Sequence, residues 1–107
     1  MRLLLDECVP VRLRRAFVSH EVSTVVLEGW AGVKNGQLLA LAAQRFDALV
    51  TVDKNLPYQQ NTTSLPVAVL VMNAVSNELR YLLPLVPAVE RELAQLVRGS
   101  YVVIADA

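Results

Sequence analysis

A chain of 107 residues, 54% of them hydrophobic, is long enough for one compact core and too short for two, so a single domain over 1–107 is expected. Ten Lys and Arg against ten Asp and Glu leave no global basic field to attract nucleic acid or an anionic membrane, and any polyanion has to be held locally. Cys8 alone excludes an internal disulfide, and one cysteine with one histidine excludes a zinc cage of that residue type; both fit a reducing compartment.

The N-terminal run Leu3-Leu4-Leu5 meets acid at Asp6-Glu7, too soon for a signal-peptide core or a membrane span, so a cytoplasmic protein without membrane contact is expected. That run reads as a strand. After Pro10, the residues Val9, Leu13, Ala16 and Phe17 fall at helical spacing, with Arg12, Arg14 and Arg15 off the stripe. Val22 to Val26 is a β-branched second strand, and Gly29-Trp30-Ala31-Gly32 is a loop that Trp30 is expected to anchor. Asn35-Gly36 signals a turn or N-cap before an apolar helix through Leu38, Leu39, Leu41, Ala42 and Ala43, closed by Arg45. Ala48 to Val52 is a buried strand running into Asp53, and 54–66 is the longest loop. Val67 to Met72 fits a central strand buried on both faces. Ser76-Asn77 opens a helical stretch, Pro84 and Pro87 begin a second helix, Gly99 reads as its C-cap, and Tyr101 to Ile104 is the last strand. The order β-α-β-α-β-β-α-β predicts an α/β fold: a three-layer open parallel sheet of about five strands with Rossmann-like winding.

In such a sheet ligands bind beyond the carboxyl ends of the strands, where the winding reverses. With the first strand central between the second and third, Asp6 and Asp53 end neighbouring strands about 4.8 Å apart. Two carboxylates that close repel each other, and a hard cation such as Mg²⁺ or Mn²⁺ relieves the repulsion. Aspartate has structural uses at both places too: Asp6 can cap the first helix, and Asp53 can initiate the turn before Asn55-Leu56-Pro57.

These residues resemble the compact bacterial PIN-like proteins, nucleases often considered toxin components of toxin–antitoxin pairs. The likeness runs through Leu3-Leu4-Leu5-Asp6-Glu7, His20-Glu21-Val22, Gly29-Trp30-Ala31-Gly32 to Gly36-Gln37-Leu38-Leu39, and Leu49-Val50-Thr51-Val52-Asp53-Lys54-Asn55-Leu56-Pro57-Tyr58-Gln59-Gln60-Asn61, nearly the whole chain. It implies a PIN-like fold and a ribonuclease that holds Mg²⁺ or Mn²⁺ between carboxylates and uses it to activate water against phosphorus. Carried over, Asp6 and Asp53 are metal ligands and catalytic residues, Thr51 supports them through its hydroxyl, and the partners are an RNA substrate and a cognate antitoxin that occupies the acidic cleft. Where the family usually has another aspartate, this chain has Asn35, assigned to the catalytic set. An amide carbonyl still ligates a hard cation but brings no charge; Asn35 is equally well read as a helix N-cap.

Glu7 can reach the site because the chain turns after it, whereas Glu28 is expected on the solvated surface. Lys54, Asn55 and Tyr58 form a polar rim suited to single-stranded RNA, although a polar loop looks the same. Arg12, with Arg14 and Arg15, can contact phosphates; a solvated helix face is the commoner origin of such a run. His20 ends the first helix or packs beside the second strand, and Cys8 reads as simply buried. The apolar pattern from Leu79 to Val97 suits a homodimer face or an ordinary core helix. Two other functions compete with the nuclease. One is a PIN-like interaction module weakened through Asn35. The other, more distant, is a phosphoryl receiver, whose lysine after the last strand and final helix have no counterpart in a chain running to Ala105-Asp106-Ala107.

Overall fold

The computed structural model describes residues 1–56 and 60–105. Tyr58, assigned to the polar rim, lies outside them, as do Asp106 and Ala107. The strands are β1 (Arg2–Leu5), β2 (Glu21–Thr24), β3 (Ala48–Thr51), β4 (Ala68–Asn73) and β5 (Tyr101–Ala105), and the helices are α1 (Asn35–Ala43), α2 (Leu79–Leu82) and α3 (Val86–Leu93). All pairings are parallel, in the order β2-β1-β3-β4-β5. The winding therefore reverses between β1 and β3, as the sequence led us to expect. Among the described residues no helix is long and apolar enough to cross a membrane.

Burial on both faces explains why these strands are continuous apolar runs rather than alternating ones. Leu3, Leu5, Val50, Leu70 and Met72 join Leu82, Leu85, Val89 and Leu93 in one core. Leu4, Leu49, Val69 and Val71 point the other way, onto Leu38, Leu39 and Ala42 of α1. Leu82, Leu85, Val89 and Leu93 thus face the chain's own sheet, each buried leucine contributing about 2 kcal/mol, whereas Leu83 is exposed. At the amino ends of the strands, Arg2 N donates to Asp47 Oδ2 (2.8 Å) and Asp47 N to Arg2 O (2.8 Å), clamping β1 to β3. Phe46 packs there beneath the Arg2 and Arg45 guanidiniums, at 5.6 and 5.9 Å, and meets the edge of Trp30 at 6.2 Å. Trp30 does anchor its loop.

Two helical elements differ from expectation. The segment after Pro10 is a 3-10 helix, Val11–Ala16, rather than an α-helix. It must return the chain alongside a strand of about 13 Å, and six residues rise about 12 Å in 3-10 form against about 9 Å in α form. The stretch after Asn77 is interrupted at the prolines, as expected: Pro84 and Pro87 lack the N–H groups that would continue the ladder, so α2 gives way to a short 3-10 turn, Leu83–Leu85, before α3. Finally, α3 stops at Leu93 with Ala94 as its C-cap, so Gly99 does not cap it. Gly99 instead sits in a turn closed by Ser100 N to Val97 O (3.1 Å), at φ +77°, which lets Ser100 O receive Val69 N and start β5.

A Cβ on Gly99 would lie 2.7 Å from Leu65 O. The left-handed backbone alone costs an L-residue about 1–2 kcal/mol, and the clash adds to that. Gly99→Ala should therefore lower the unfolding free energy by more than that cost, read as a lower urea midpoint with an unchanged slope; an unaltered midpoint would contradict the turn geometry.

Candidate functional site

At the reversal, Asp6 N donates to Val50 O (2.9 Å), carrying the β1–β3 ladder one residue past the strand and fixing where the first carboxylate begins. Thr51, the last residue of β3, is 0% exposed. Its hydroxyl has one hydrogen, and the surroundings dictate where it goes. Asp53 N can only donate and lies 3.0 Å away, so the hydroxyl donates to Asp6 Oδ2 at 2.7 Å. The same hydroxyl thus holds the Asp6 side chain and the Asp53 backbone. Asp6 Oδ1 accepts from Glu7 N (2.8 Å), while the N-cap position of the 3-10 helix belongs to Pro10. Asp6 is therefore a strand-end residue and not that helix's cap.

Asp53 does initiate its turn, Oδ1 accepting from Asn55 N at 2.9 Å. Its Oδ2 faces Asn35 Nδ2 at 3.3 Å. A carboxylate only accepts, so the amide must turn its NH₂ group toward it. Lys34 occupies the N-cap of α1 and Asn35 is the first helical residue, so Asn35 serves the Asp53 carboxylate and not the helix end. The structure thus brings Asp6, Thr51, Asp53 and Asn35 into one hydrogen-bonded group. Among the described residues, no three His, Cys, Asp or Glu side chains cluster as a metal-binding group.

The other expected site residues go elsewhere. Glu7 Oε1 accepts from Gly32 N (2.8 Å) and pins the Gly29–Gly32 loop. Lys54 Nζ reaches Ala74 O (3.0 Å), and Asn55 contributes its backbone to the Asp53 turn. Lys54, Asn55 and Asp53 line a cleft of about 420 Å³ with Ala74 to Asn77. Arg12 lines a different groove. Glu28 is not solvated: its side chain is 13% exposed and bridges Arg45 (2.7 Å) to Ser23 (2.7 Å), because the turn after β2 folds it back against the sheet. His20 sits before β2 and pairs with Glu90 of α3 at 3.0 Å.

Two neighbours of the site carried no sequence signal. Asn77 Nδ2 donates to Cys8 O (3.0 Å), tying the approach to α2 to the turn after Asp6, a contact made by residues 69 positions apart. Cys8 Sγ lies 3.6 Å from Thr51 Oγ1 and 3.8 Å from Asp6 Oδ2. Burial pushes the Cys8 thiol up, and the Asp6 charge pushes it the same way, against hydrogen bonds from Val52 and Thr51 that lower it. The folded thiol keeps its proton to higher pH than the unfolded one. Its contribution to stability is whole below the ordinary thiol range and is lost as pH rises through the folded value.

Iodoacetamide should therefore alkylate Cys8 more slowly in the native chain than in urea at the same alkaline pH, and equal rates would contradict the burial. Thr51→Val keeps the shape but leaves Asp6 Oδ2 and Asp53 N without their partner. It should cost about 1–3 kcal/mol in denaturant unfolding, while Thr51→Ser should recover most of the loss. Comparison of the chain with protein-family models, with curated proteins and with solved structures found no match.

Proposed function

We propose that the chain is a metal-dependent ribonuclease of PIN-like type, hydrolysing phosphodiester bonds at Asp6 and Asp53 and acting as the toxin of a toxin–antitoxin pair in the cytoplasm. One observation carries the reading: Thr51 Oγ1 joins Asp6 Oδ2 to the Asp53 backbone at the point where the sheet winding reverses. Many activities share a parallel sheet of this kind, so the fold does not choose among them. The choice of nuclease rests on the acids and on the residue strings that resemble PIN-like proteins.

The donors fit a single Mg²⁺ or Mn²⁺. Each oxygen of Asp6 and Asp53 accepts a hydrogen bond from a protein N–H or O–H group and Asp6 Oδ2 also faces the Cys8 thiol at 3.8 Å, so Asp6 Oδ1 and both Asp53 oxygens keep a lone pair for a cation. Mg²⁺ is ordinarily held by one or two carboxylates, keeps several waters and takes substrate phosphate as a further ligand. When bound, such an ion supplies Lewis-acid polarisation of a phosphoryl oxygen and a water of lowered pKa. The chain's own residues do the rest. Asp6 and Asp53 bring the negative charge, Thr51 restricts the Asp6 rotamer, and Asn35 stands beside Asp53 with an amide oxygen to offer if its group turns over. A cognate antitoxin would act by covering this cleft.

A second reading, the weakened interaction module, is favoured by the Asn35 amide, which satisfies Asp53 Oδ2 without any ion. Kinetics separate the two. Under the nuclease reading, the chain cleaves RNA with Mg²⁺ or Mn²⁺, and Asp6→Ala or Asp53→Ala lowers the rate roughly a hundredfold or more, the equivalent of several kcal/mol of metal-borne stabilisation. Asn35→Asp should tighten Mn²⁺ binding and raise the rate. Cleavage unchanged in both alanine variants would overturn the nuclease; absent cleavage together with absent Mn²⁺ binding in Asn35→Asp would establish the interaction module.

A further inference from the structure

The three arginines of the 3-10 helix, Val11–Ala16, make up three of the ten cationic side chains in a chain of zero formal charge. They line one groove of about 710 Å³ together with Val11, His20 and Val22, and no carboxylate shares that lining. Arg14 Nε donates to Val22 O at 3.0 Å, which occupies a carbonyl of the edge strand β2 and fixes the helix against it. Arg12 and Arg15 are exposed, and neither is among the ion pairs of the described residues. Elsewhere Arg2, Arg45 and Arg80 each have a glutamate, and the exposed Arg91 and Arg98, also outside those ion pairs, lie seven positions apart rather than in a cluster. An unneutralised cluster in a neutral protein is a local site for a polyanion.

We infer that this groove along the β2 edge binds the phosphodiester backbone of single-stranded RNA, apart from the Asp6–Asp53 site. Arg12 and Arg15 are three residues apart in a 3-10 helix, where positions i and i+3 eclipse. Their side chains leave one face about 6 Å apart along the axis, a step that successive phosphates of an extended strand can match. No Phe, Tyr or Trp lines the groove, and its one ring, His20, is 12% exposed and held by Glu90, so the groove offers no stacking platform and grips backbone rather than bases. Arg14 is the strut and Arg12 and Arg15 are the phosphate ligands. The groove begins at Val11, five positions after Asp6, so a strand lying in it leads from the carboxyl end of β1 toward His20. The choice of RNA rests on the nuclease reading, but the groove's own geometry needs no metal.

The test is therefore made in excess chelator, following the anisotropy of a fluorescent oligouridylate of about twelve nucleotides. The wild-type chain should bind it with an affinity that falls steeply with salt. The double variant Arg12→Ala/Arg15→Ala, whose exposed side chains take part in none of the ion pairs of the described residues, should keep the wild-type melting profile and bind roughly tenfold more weakly at about 50 mM salt. Its slope of log affinity against log salt should be flatter by about 1.4, or about 0.7 per lost phosphate contact. Binding and slope equal to wild type in the double variant would overturn the inference. So would wild-type binding of a polyglutamate peptide in preference to the oligonucleotide, which would assign the groove to an acidic protein segment. Failure of metal-dependent cleavage with chelator-resistant RNA binding intact would remove the nuclease and leave the groove standing.

Discussion

One hydroxyl governs the arrangement at the carboxyl ends of the strands. Thr51 is wholly buried, and its Oγ1 donates to the Asp6 carboxylate while accepting from the Asp53 backbone. A single oxygen with one hydrogen cannot serve both residues unless β1 and β3 are adjacent, parallel and in the observed register, Leu5 beside Val50. Sheet pairing, core packing on both faces and the placement of the two acids are therefore a single constraint. The contact is strong because the acceptor is charged and the site is shielded from water, and leaving either partner alone there is correspondingly costly.

The two ends of the sheet use this constraint differently. At the amino ends, the Arg2 backbone exchanges two hydrogen bonds with Asp47, the Arg2 guanidinium pairs with Glu21, and the Arg2 and Arg45 guanidiniums cover Phe46, so anions there stand beside cations. At the carboxyl ends, the donors to Asp6 and Asp53 among the described residues are neutral: Thr51, Asn35, the Cys8 thiol and backbone N–H groups. Negative charge held by neutral donors at a sheet's reversal is the electrostatic basis for the metal-dependent function proposed above. Glu7 and Asn77 tie the surrounding loops to the turn after Asp6 without bringing a cation to it. The arginines instead gather along the β2 edge, so charge is segregated within a chain whose sum is zero.

Much of the framework was legible because burial on both faces writes itself as unbroken apolar runs. Leu3 to Leu5, Ala48 to Val52 and Val67 to Met72 locate β1, β3 and β4 to within a residue. The acid that follows each of the first two runs marks the site, and Asp53 followed by Asn55 announces the turn that Asn55 N closes. The second strand ends at Thr24, short of Val26, because Thr24 Oγ1 takes Leu27 N and starts a turn. That choice depends on a side-chain competition no periodicity reports. The amide of Asn35, the burial of Glu28 and the meeting of Cys8 with Thr51 depend on which helix crosses which strand end. Asn35 suits both a helix N-cap and a place beside the acids, so it carries no local signal for choosing between them; in the fold Lys34 takes the N-cap and the Asn35 amide faces Asp53.

The central claim is that Asp6 and Asp53 share one hard cation, and the broadening of backbone amide resonances by Mn²⁺ tests it without relying on turnover. On the proposed account, substoichiometric Mn²⁺ broadens Asp6, Glu7, Asp53 and Asn55 first and leaves Gly99 and Val102, at the far end of β5, sharp. Broadening spread evenly over exposed acids such as Glu21, Asp47 and Glu78, with Asp6 and Asp53 no more affected than they are, would contradict it.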